Sequence, residues 1–168
     1  MKNIILTGFM GTGKTAVGRE IARILQMNLI DIDAEIEKSE KMTINSIFEQ
    51  FGETRFREIE TEMIKKKSGM KNVVISTGGG AVLKQENMKM LRKNGVIVCL
   101  RAAPETILRR TGSSEDRPLL KVDDPLQKIH DLMNAREPFY EKADIMIDTE
   151  DKTPLQIAEE IIDRVRMV

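Results

Sequence analysis

The sequence predicts a three-layer α/β/α fold around a five-stranded parallel sheet. Short β-branched runs alternate with longer segments of helical spacing, which is the pattern of parallel strands joined by crossover helices. The length of 168 residues is close to the commonest size of a single domain. We therefore expect one domain over residues 1–168, with one hydrophobic core.

The elements follow from local patterns. The predicted strands are Asn3–Thr7, Asn28–Asp31, Val73–Ser76, Val96–Arg101 and Asp144–Ile147. Helical spacing predicts helices over Lys14–Leu25, over Thr43 to about Lys67 with an interruption near Gly52, and over Gln85–Lys93, closed by Asn94 and Gly95. Two further helices should begin at "DDP" (123–125) and "TP" (153–154), since each places an N-cap residue before a proline at the first helical position.

One irregular stretch, Thr111 to Asp124 with the sequence "TGSSEDRPLLKVDD", is rich in polar and turn residues. A stretch of this kind between regular elements is a candidate mobile lid, which we place at about 111–124.

Composition excludes several classes of partner and site. Lys plus Arg total 27 and Asp plus Glu total 27, so no excess of basic charge argues for nucleic acid or an anionic membrane. The single cysteine, Cys99, rules out an internal disulfide or a cysteine-rich zinc site, and we expect it to be buried on a strand. No signal peptide and no apolar run near the roughly 20 residues of a membrane span is evident, so we expect a cytoplasmic protein.

The stretch "GFMGTGKT" (8–15) carries the first functional signal. Gly8, Gly13, Lys14 and Thr15 complete the pattern G-x-x-x-x-G-K-[ST] between a predicted strand and a predicted helix. Glycines let successive backbone N–H groups surround a phosphate chain, and the helix adds the positive end of its dipole. Lys14 would reach the outer phosphates and the Thr15 hydroxyl would bind Mg²⁺. The pattern predicts a P-loop NTPase fold and is silent on the use of the phosphate.

Residues after the next two strands are candidates for the acceptor site. Asp31 and Asp33 in "DID" lie on one side if the chain stays extended, where one could assist the metal and the other hold an acceptor hydroxyl. The alternative is an N-cap pair for a helix. Three consecutive glycines, 78–80 in "STGGG", are costly in chain entropy unless backbone N–H groups there contact a ligand, the alternative being a loose turn.

Three arginines are candidates to bind anionic groups. Arg57 lies among carboxylates on a helix, where it could equally be an ordinary partner of Glu60. Arg117 lies inside the presumed lid and Arg136 near the end of the following helix, and either could be a plain surface residue. A lid arginine could neutralise charge on a transferred phosphoryl group. His130, the only histidine, has acidic neighbours and is expected on the surface, which leaves general base work to a carboxylate.

The motifs "GFMGTGKT", "DID", "FREIE", "STGGG", "RPLL" and "REPFY" together resemble the shikimate kinase family in order and spacing along nearly the whole chain. That family is related to the nucleoside monophosphate kinases. The resemblance implies ATP-dependent phosphorylation of the 3-hydroxyl of shikimate, on the route to chorismate and the aromatic amino acids, by a monomer. The residues alone lead only to an ATP-dependent phosphotransferase.

The resemblance also implies roles for individual residues. Catalysis would fall to Asp33, Lys14 and Arg117, with Asp33 as base or orienting group. ATP would contact Gly11, Thr12, Gly13, Lys14, Thr15, Ala16, Arg110 and Arg117, with Arg110 packed on adenine. Shikimate would contact Asp33, Arg57, Gly78, Gly79, Gly80 and Arg136, within a helical substrate-binding region at about 32–60 that includes Phe48 and Phe56 as apolar wall. Mg²⁺ would be bound by Thr15, with support from Asp31 through water.

Two other interpretations remain open. Another small P-loop kinase, such as a gluconate kinase or a nucleoside monophosphate kinase, would share the loop, and gluconate is also a hydroxylated acid. A nucleotide acceptor would need a second base pocket, for which the sequence offers no residues. A non-catalytic nucleotide-binding switch would bind ATP without acceptor-dependent turnover.

Overall fold

The protein is described here by a computed structural model that covers residues 2–112 and 118–168. Its strands are β1 (Asn3–Gly8), β2 (Asn28–Asp31), β3 (Val73–Ser76), β4 (Gly95–Arg101) and β5 (Ile145–Asp148). Its helices are α1 (Lys14–Leu25), α2 (Ile32–Glu40), α3 (Ile44–Lys67), α4 (Gln85–Arg92), α5 (Pro104–Thr111), α6 (Pro125–Tyr140) and α7 (Pro154–Arg166), with 3-10 helices at Ala81–Leu83 and Pro118–Leu120.

The five strands form one parallel sheet in the order β2-β3-β1-β4-β5. The predicted three-layer architecture is confirmed. Side chains alternate across β1, so that Ile4 and Leu6 pack with α1 and α7, whereas Ile5 joins the core under α3 and α4. Because the strands are parallel, all their carboxyl ends meet at one edge of the sheet, and open α/β sheets bind ligands there.

The start signals of the last two helices are confirmed. Asp124 caps α6 by accepting a hydrogen bond from the Gln127 backbone, and Thr153 forms a complete capping box with Gln156 at α7. Each helix has its proline in the first turn. These caps satisfy backbone N–H groups that a helix start leaves unpaired.

The predicted interruption near Gly52 is a sharp break inside α3. Gly52 has φ 81° and ψ 171°, a backbone conformation that is essentially confined to glycine. The break turns the segment that carries Phe48 relative to the segment that carries Phe56 and Arg57. Both segments therefore contribute side chains to one pocket.

Two expectations about local structure need correction. Helix α5 was not predicted, since its first turn offers Pro104 but no side-chain cap at Ala103. Gly95 does not close α4; it is the first residue of β4, which pairs with Asn3 of β1.

Part of the predicted lid lies outside the described residues. Within about 111–124, Thr111 ends α5, residues 118–120 form a 3-10 helix and Asp124 caps α6, whereas 113–117 are not described. In the ranges 2–112 and 118–168, no helix is long and apolar enough to span a membrane. Cys99 is fully buried on β4, as predicted.

Candidate active site

The glycine-rich loop joins β1 to α1 at the centre of the sheet. Gly13, with φ 91°, takes the N-cap position of α1 without a side-chain cap, so no cap side chain accepts a hydrogen bond from the first backbone N–H groups of the helix. This cavity has a volume of about 320 Å³ and is lined in part by Gly11, Gly13, Lys14, Thr15 and Ala16. It has the donors that an anion needs, because a helix N-terminus carries partial positive charge.

Lys14 lies folded over this loop. Its ammonium donates hydrogen bonds to the carbonyl oxygens of Gly8 and Phe9, at 2.8 and 2.9 Å. Thr12, a buried residue of the loop itself, donates from its hydroxyl to the Phe9 carbonyl at 2.9 Å. These bonds fix the curvature of the loop from within.

Thr15 and Asp31 meet at the mouth of the same cavity. The Thr15 hydroxyl donates to Asp31 Oδ2 at 2.7 Å, while Asp31 Oδ1 accepts a hydrogen bond from the Ala34 backbone at 3.1 Å. Asp31 is thus the N-cap of α2 and a neighbour of the P-loop hydroxyl. The N-cap alternative is confirmed for Asp31, and its support of a metal stays a prediction.

The oxygen pair suits Mg²⁺, which prefers oxygen ligands and keeps several waters and substrate phosphates in its shell. Across the described chain, no cluster of three or more His, Cys, Asp or Glu side chains is present that could hold a metal by itself. A site built from Thr15, Asp31 and a nucleotide fits this arrangement.

A second cavity adjoins the cavity beside the glycine-rich loop, which we call the phosphate-side cavity. Asp33 lines both of them. We call it the acceptor pocket; its volume is about 90 Å³. Its walls are formed by Met10, Asp33, Ile44, Phe48, Phe56, Arg57, Glu60, Gly78, Gly79, Gly80, Leu119 and Arg136. Asp33 does not reach it from an extended chain, as the sequence argument assumed, because β2 ends at Asp31 and Asp33 lies in the first turn of α2.

Glu60 and Glu53 orient Arg57. Nη1 of Arg57 donates to Glu60 Oε1 at 3.1 Å and Nη2 donates to Glu53 Oε1 at 3.3 Å. The pairing with Glu60 that the sequence suggested as an alternative is therefore present. Arg57 also lines the acceptor pocket, and its side chain is only 13% exposed. The pairing is confirmed, and the binding of an anionic group by Arg57 stays a prediction.

The three glycines allow charged side chains to approach the backbone. A Cβ on Gly80 would lie 2.4 Å from Arg57 Nη2, and a Cβ on Gly78 would lie 2.9 Å from Glu60 Oε2 and 3.1 Å from Asp33 Oδ1. At Gly79 the nearest side-chain atom would be Nη1 of Arg136, at 3.3 Å. Side chains at 78 and 80 would therefore displace groups of the pocket, a packing reason for this run that the sequence argument did not include.

Arg136 is buried at 3% exposure, with its guanidinium carbon 5.5 Å from the centre of the Phe9 ring. Three buried polar atoms around the acceptor pocket have no hydrogen-bond partner within the described residues: Arg57 Nε, Arg136 Nη1 and Glu60 Oε2. Unpaired buried donors are rare in folded proteins, so two guanidinium groups with spare N–H donors indicate a place for an anion.

Glu60 is the acidic member of this cluster, and sequence reasoning did not propose it as a site residue. Burial raises the pKa of its carboxyl group, Arg57 opposes this by attraction, and the nearby charge of Asp33 adds to the increase. The available signal was its position three residues after Arg57, which puts both side chains on one helix face. Tyr140 is a second omission, because its hydroxyl donates to the Gly79 carbonyl at 2.6 Å.

An aromatic pair forms the apolar side of the acceptor pocket. The rings of Phe48 and Phe56 lie 4.8 Å apart across the Gly52 break. Phe56 also belongs to the core, at 4% exposure.

A third cavity, of about 200 Å³, lies on the other side of the glycine-rich loop. Arg110 lines it and donates to the Gly11 carbonyl at 3.2 Å. The remaining lining residues are Thr12, Gly13, Val17, Lys152, Pro154 and Ile157. The sequence predicted only a helix start at Thr153 and Pro154, and nothing local distinguishes this segment from an ordinary helix start.

Two other candidates are accounted for differently. Arg117 lies outside the described residues. The side chain of His130 is 42% exposed, 3.9 Å from Glu105, and it lines none of the three cavities, in agreement with the expectation of a surface residue.

Comparison with known proteins identifies the family. The family model described as shikimate kinase matches residues 10–166. The chain belongs to the shikimate kinase family. Among curated members, the shikimate kinase of Thermodesulfovibrio yellowstonii is 54% identical over 162 residues, covering 96% of this chain and 94% of the relative. That of Caldanaerobacter subterraneus subsp. tengcongensis is 53% identical, with 96% and 95% covered.

Solved structures agree with this assignment of the kinase. The shikimate kinase of Acinetobacter baumannii, solved in complex with shikimate, matches with a TM-score of 0.97 at 38% identity, over 99% of this chain and 94% of that one. A gluconokinase of Sinorhizobium meliloti matches with a TM-score of 0.67 at 17% identity, over 99% and 92%. At that identity the second match reports a shared fold only.

Proposed function

We propose that this kinase transfers the γ-phosphoryl group of ATP to the 3-hydroxyl of shikimate, giving shikimate 3-phosphate and ADP in chorismate and aromatic amino acid biosynthesis. One observation carries the proposal. Asp33 lies between a cavity bordered by the glycine-rich loop and a pocket with two under-bonded arginines. A donor phosphate and a hydroxylated carboxylic acid would meet at this carboxylate.

Each substrate end has a matching partner. The carboxylate of the acceptor would take hydrogen bonds from Arg57 and Arg136, because a planar carboxylate accepts paired bonds from guanidinium groups. Backbone at Gly78–Gly80 would contact the ring hydroxyls, with Phe48 and Phe56 against the ring. A carboxylate fixed at one end of the pocket would hold a single hydroxyl near Asp33, which explains how a polyhydroxylated ring is phosphorylated at one position.

Asp33 would accept the proton of the attacking hydroxyl or orient that hydroxyl, the role that kinases give to an aspartate. Lys14 would leave the loop carbonyls for the phosphate oxygens, where its charge stabilises the transferring group. Thr15 would hold Mg²⁺, with Asp31 supporting it through water; the metal neutralises phosphate charge when bound. Arg117 is proposed from the sequence to neutralise the same charge from the lid.

The nucleotide base would occupy the third cavity, between Arg110 and the segment with Lys152 and Pro154. Gly11, Thr12, Gly13 and Ala16 would contribute the remaining contacts around the nucleotide. A monomer, a cytoplasmic location, a mobile lid at about 111–124 and a substrate-binding region at about 32–60 remain predictions from the sequence.

The test is ADP release with Mg-ATP, measured without acceptor, with shikimate and with gluconate. Turnover that depends on shikimate, together with formation of shikimate 3-phosphate, supports the proposal. Turnover with gluconate alone would favour the other kinase interpretation. Tight ATP binding without turnover on either acid would favour a nucleotide-binding switch.

A further inference from the structure

A cavity outside the active site lies between α4, the end of α6 and the 3-10 helix Ala81–Leu83. We call it the α4–α6 groove; its volume is about 380 Å³. Met88 and Phe139 form apolar surface within it, and Leu83, which is 37% exposed, forms one edge. No residue that lines it also lines the acceptor pocket, the phosphate-side cavity or the third cavity beside Arg110.

The charges around the groove have one sign. Lys89, Arg92 and Lys142 line it, and no carboxylate does. Arg92 is neutralised by an ion pair with Asp144, and it also donates to the Lys142 carbonyl at 2.7 Å. Within the described part of the chain no ion pair reaches Lys89 or Lys142. Two exposed ammonium groups at the groove therefore have no carboxylate partner among the described residues.

Aromatic surface lies next to this charge. The ammonium of Lys142 lies 5.6 Å from the centre of the Phe139 ring, so cation and apolar surface are contiguous. An occupant that matches both features has a flat apolar ring and one carboxylate. A fully polar anion would not use the exposed apolar surface of Met88 and Phe139, which pack against the core only in part, and a neutral hydrocarbon would not use the charges of the two lysines.

The groove is connected to the acceptor pocket through the backbone, although the two cavities have no lining residue in common. The 3-10 helix directly follows Gly78–Gly80 and is bonded to them, through Ala81 N to the Gly78 carbonyl and Leu83 N to the Gly80 carbonyl, both at 3.2 Å. Phe139 precedes Tyr140, whose hydroxyl binds the Gly79 carbonyl at 2.6 Å. A ligand that separates or clamps these two elements acts on the glycine backbone of the acceptor pocket.

We propose that the α4–α6 groove binds a small aromatic carboxylate, and that its occupancy changes the affinity of the acceptor pocket. The binding part is independent of the proposed function, whereas the coupling part rests on it. Linkage requires the coupling to be reciprocal: the groove ligand and the acceptor change each other's affinity by the same factor.

The first experiment uses 2-naphthoate as the probe and 2-naphthamide as its neutral match, with binding followed by ¹⁵N–¹H NMR of the full chain. Naphthoate should shift the amides of Leu83, Lys89 and Phe139 and bind at least fivefold more tightly than naphthamide. Lys89→Glu should weaken naphthoate binding at least tenfold. The matched control is Lys71→Glu, an exposed lysine that does not line the groove, which should leave naphthoate binding unchanged.

The second experiment measures naphthoate affinity with and without saturating shikimate, and the KM for shikimate against naphthoate concentration. Coupling predicts a KM for shikimate that changes to a plateau. Because reciprocity holds for equilibrium affinities, the dissociation constant of shikimate measured with saturating naphthoate should change by the same factor as that of naphthoate measured with saturating shikimate. A KM that rises without limit, or shifts centred on Arg136, would put the probe in the acceptor pocket and overturn the proposal. Equal binding to Lys89→Glu overturns the groove as the site, and binding without any effect on shikimate overturns the coupling. If shikimate is not a substrate at all, the NMR titration still reports on the groove.

Discussion

Arg136→Met is the substitution that best separates a binding role of Arg136 from a structural one. The side chain is 3% exposed and one of its terminal nitrogens has no partner among the described residues. Methionine keeps much of the apolar volume against Phe9 and removes the charge. If Arg136 holds the acceptor carboxylate, the loss falls on shikimate binding and leaves ATP binding nearly intact.

The size of the effect follows from the bonds removed. A hydrogen bond to a charged group contributes about 1.5–3 kcal/mol, so the loss of two costs about 3 kcal/mol at the lower end. At about 1.4 kcal/mol per tenfold change, the KM for shikimate should rise about 100-fold. Stability should fall only modestly. The substitution removes an unpaired buried donor, which costs about 1–3 kcal/mol, but also a cation–π contact of about 0.5–2 kcal/mol, a side-chain hydrogen bond with Tyr140 and the attraction to Glu60.

The assay is ADP release at saturating ATP over a shikimate titration, combined with a thermal melt. Arg109→Met, an exposed arginine on α5, is the matched control and should leave both the KM and the Tm unchanged. An unchanged KM in Arg136→Met would mean that the carboxylate is bound elsewhere. A Tm lowered by more than about 10 °C would mean that the arginine is a structural residue, since about 1 kcal/mol shifts the Tm of such a domain by about 2–4 °C.

Three further substitutions test other parts of the site. Asp33→Asn should lower kcat by a factor of about 10²–10⁴, since it removes a base or orienting group. The Tm should be retained, because the substitution also relieves repulsion with Glu60. A near-normal kcat in the ADP-release assay would remove Asp33 from the mechanism. Glu60→Gln should gain stability over the native chain as pH rises. The pKa of Glu60 is raised on folding, so the folded state keeps its proton to higher pH than the unfolded state. The stability of the native chain therefore falls by up to about 1.4 kcal/mol per pH unit between the unfolded pKa of about 4.3 and the folded pKa. A Tm difference between Glu60→Gln and the native chain that stays constant from pH 4 to pH 8 would contradict this. Gly52→Ala should lower the Tm by about 2–12 °C through strain of about 1–3 kcal/mol. An added Cβ would meet nothing within 4 Å, so only the positive φ of this position opposes the substitution. Gly69→Ala, also in open space but without a positive φ, is the control, and equal melts would refute the strain.

The sequence was most informative where one local rule sets the structure. The glycine-rich loop, the caps before Pro125 and Pro154, and the break at Gly52 each depend on backbone conformations or hydrogen bonds within a few residues. The alternation of strands and helices was enough for the layered sheet, because parallel strands require crossover connections. Helix α5 was not predicted because it lacks a side-chain cap. Its packing stabilises it instead, with Ile107 buried in the core.

Several alternatives could not be separated in sequence because they were not exclusive. Asp31 caps α2 and also binds Thr15, and Arg57 pairs with Glu60 while lining the acceptor pocket. Local spacing reveals the near partner of such a residue. It does not reveal which cavity or which distant residue the remaining atoms of the carboxylate or guanidinium contact.

The sequence by itself therefore determined the sheet, the phosphate loop and, through the resemblance of its motifs, the family. The tertiary structure alone brought Asp33, Arg57, Glu60 and Arg136 against one glycine run, from helices separated by up to about 100 positions in the chain. The pKa shift of Glu60 and the spare N–H donors of Arg57 and Arg136 are also set by the tertiary structure alone. The physical reason is that desolvation and charge interactions depend on distance and burial in space, and spacing along the chain fixes these only within one element.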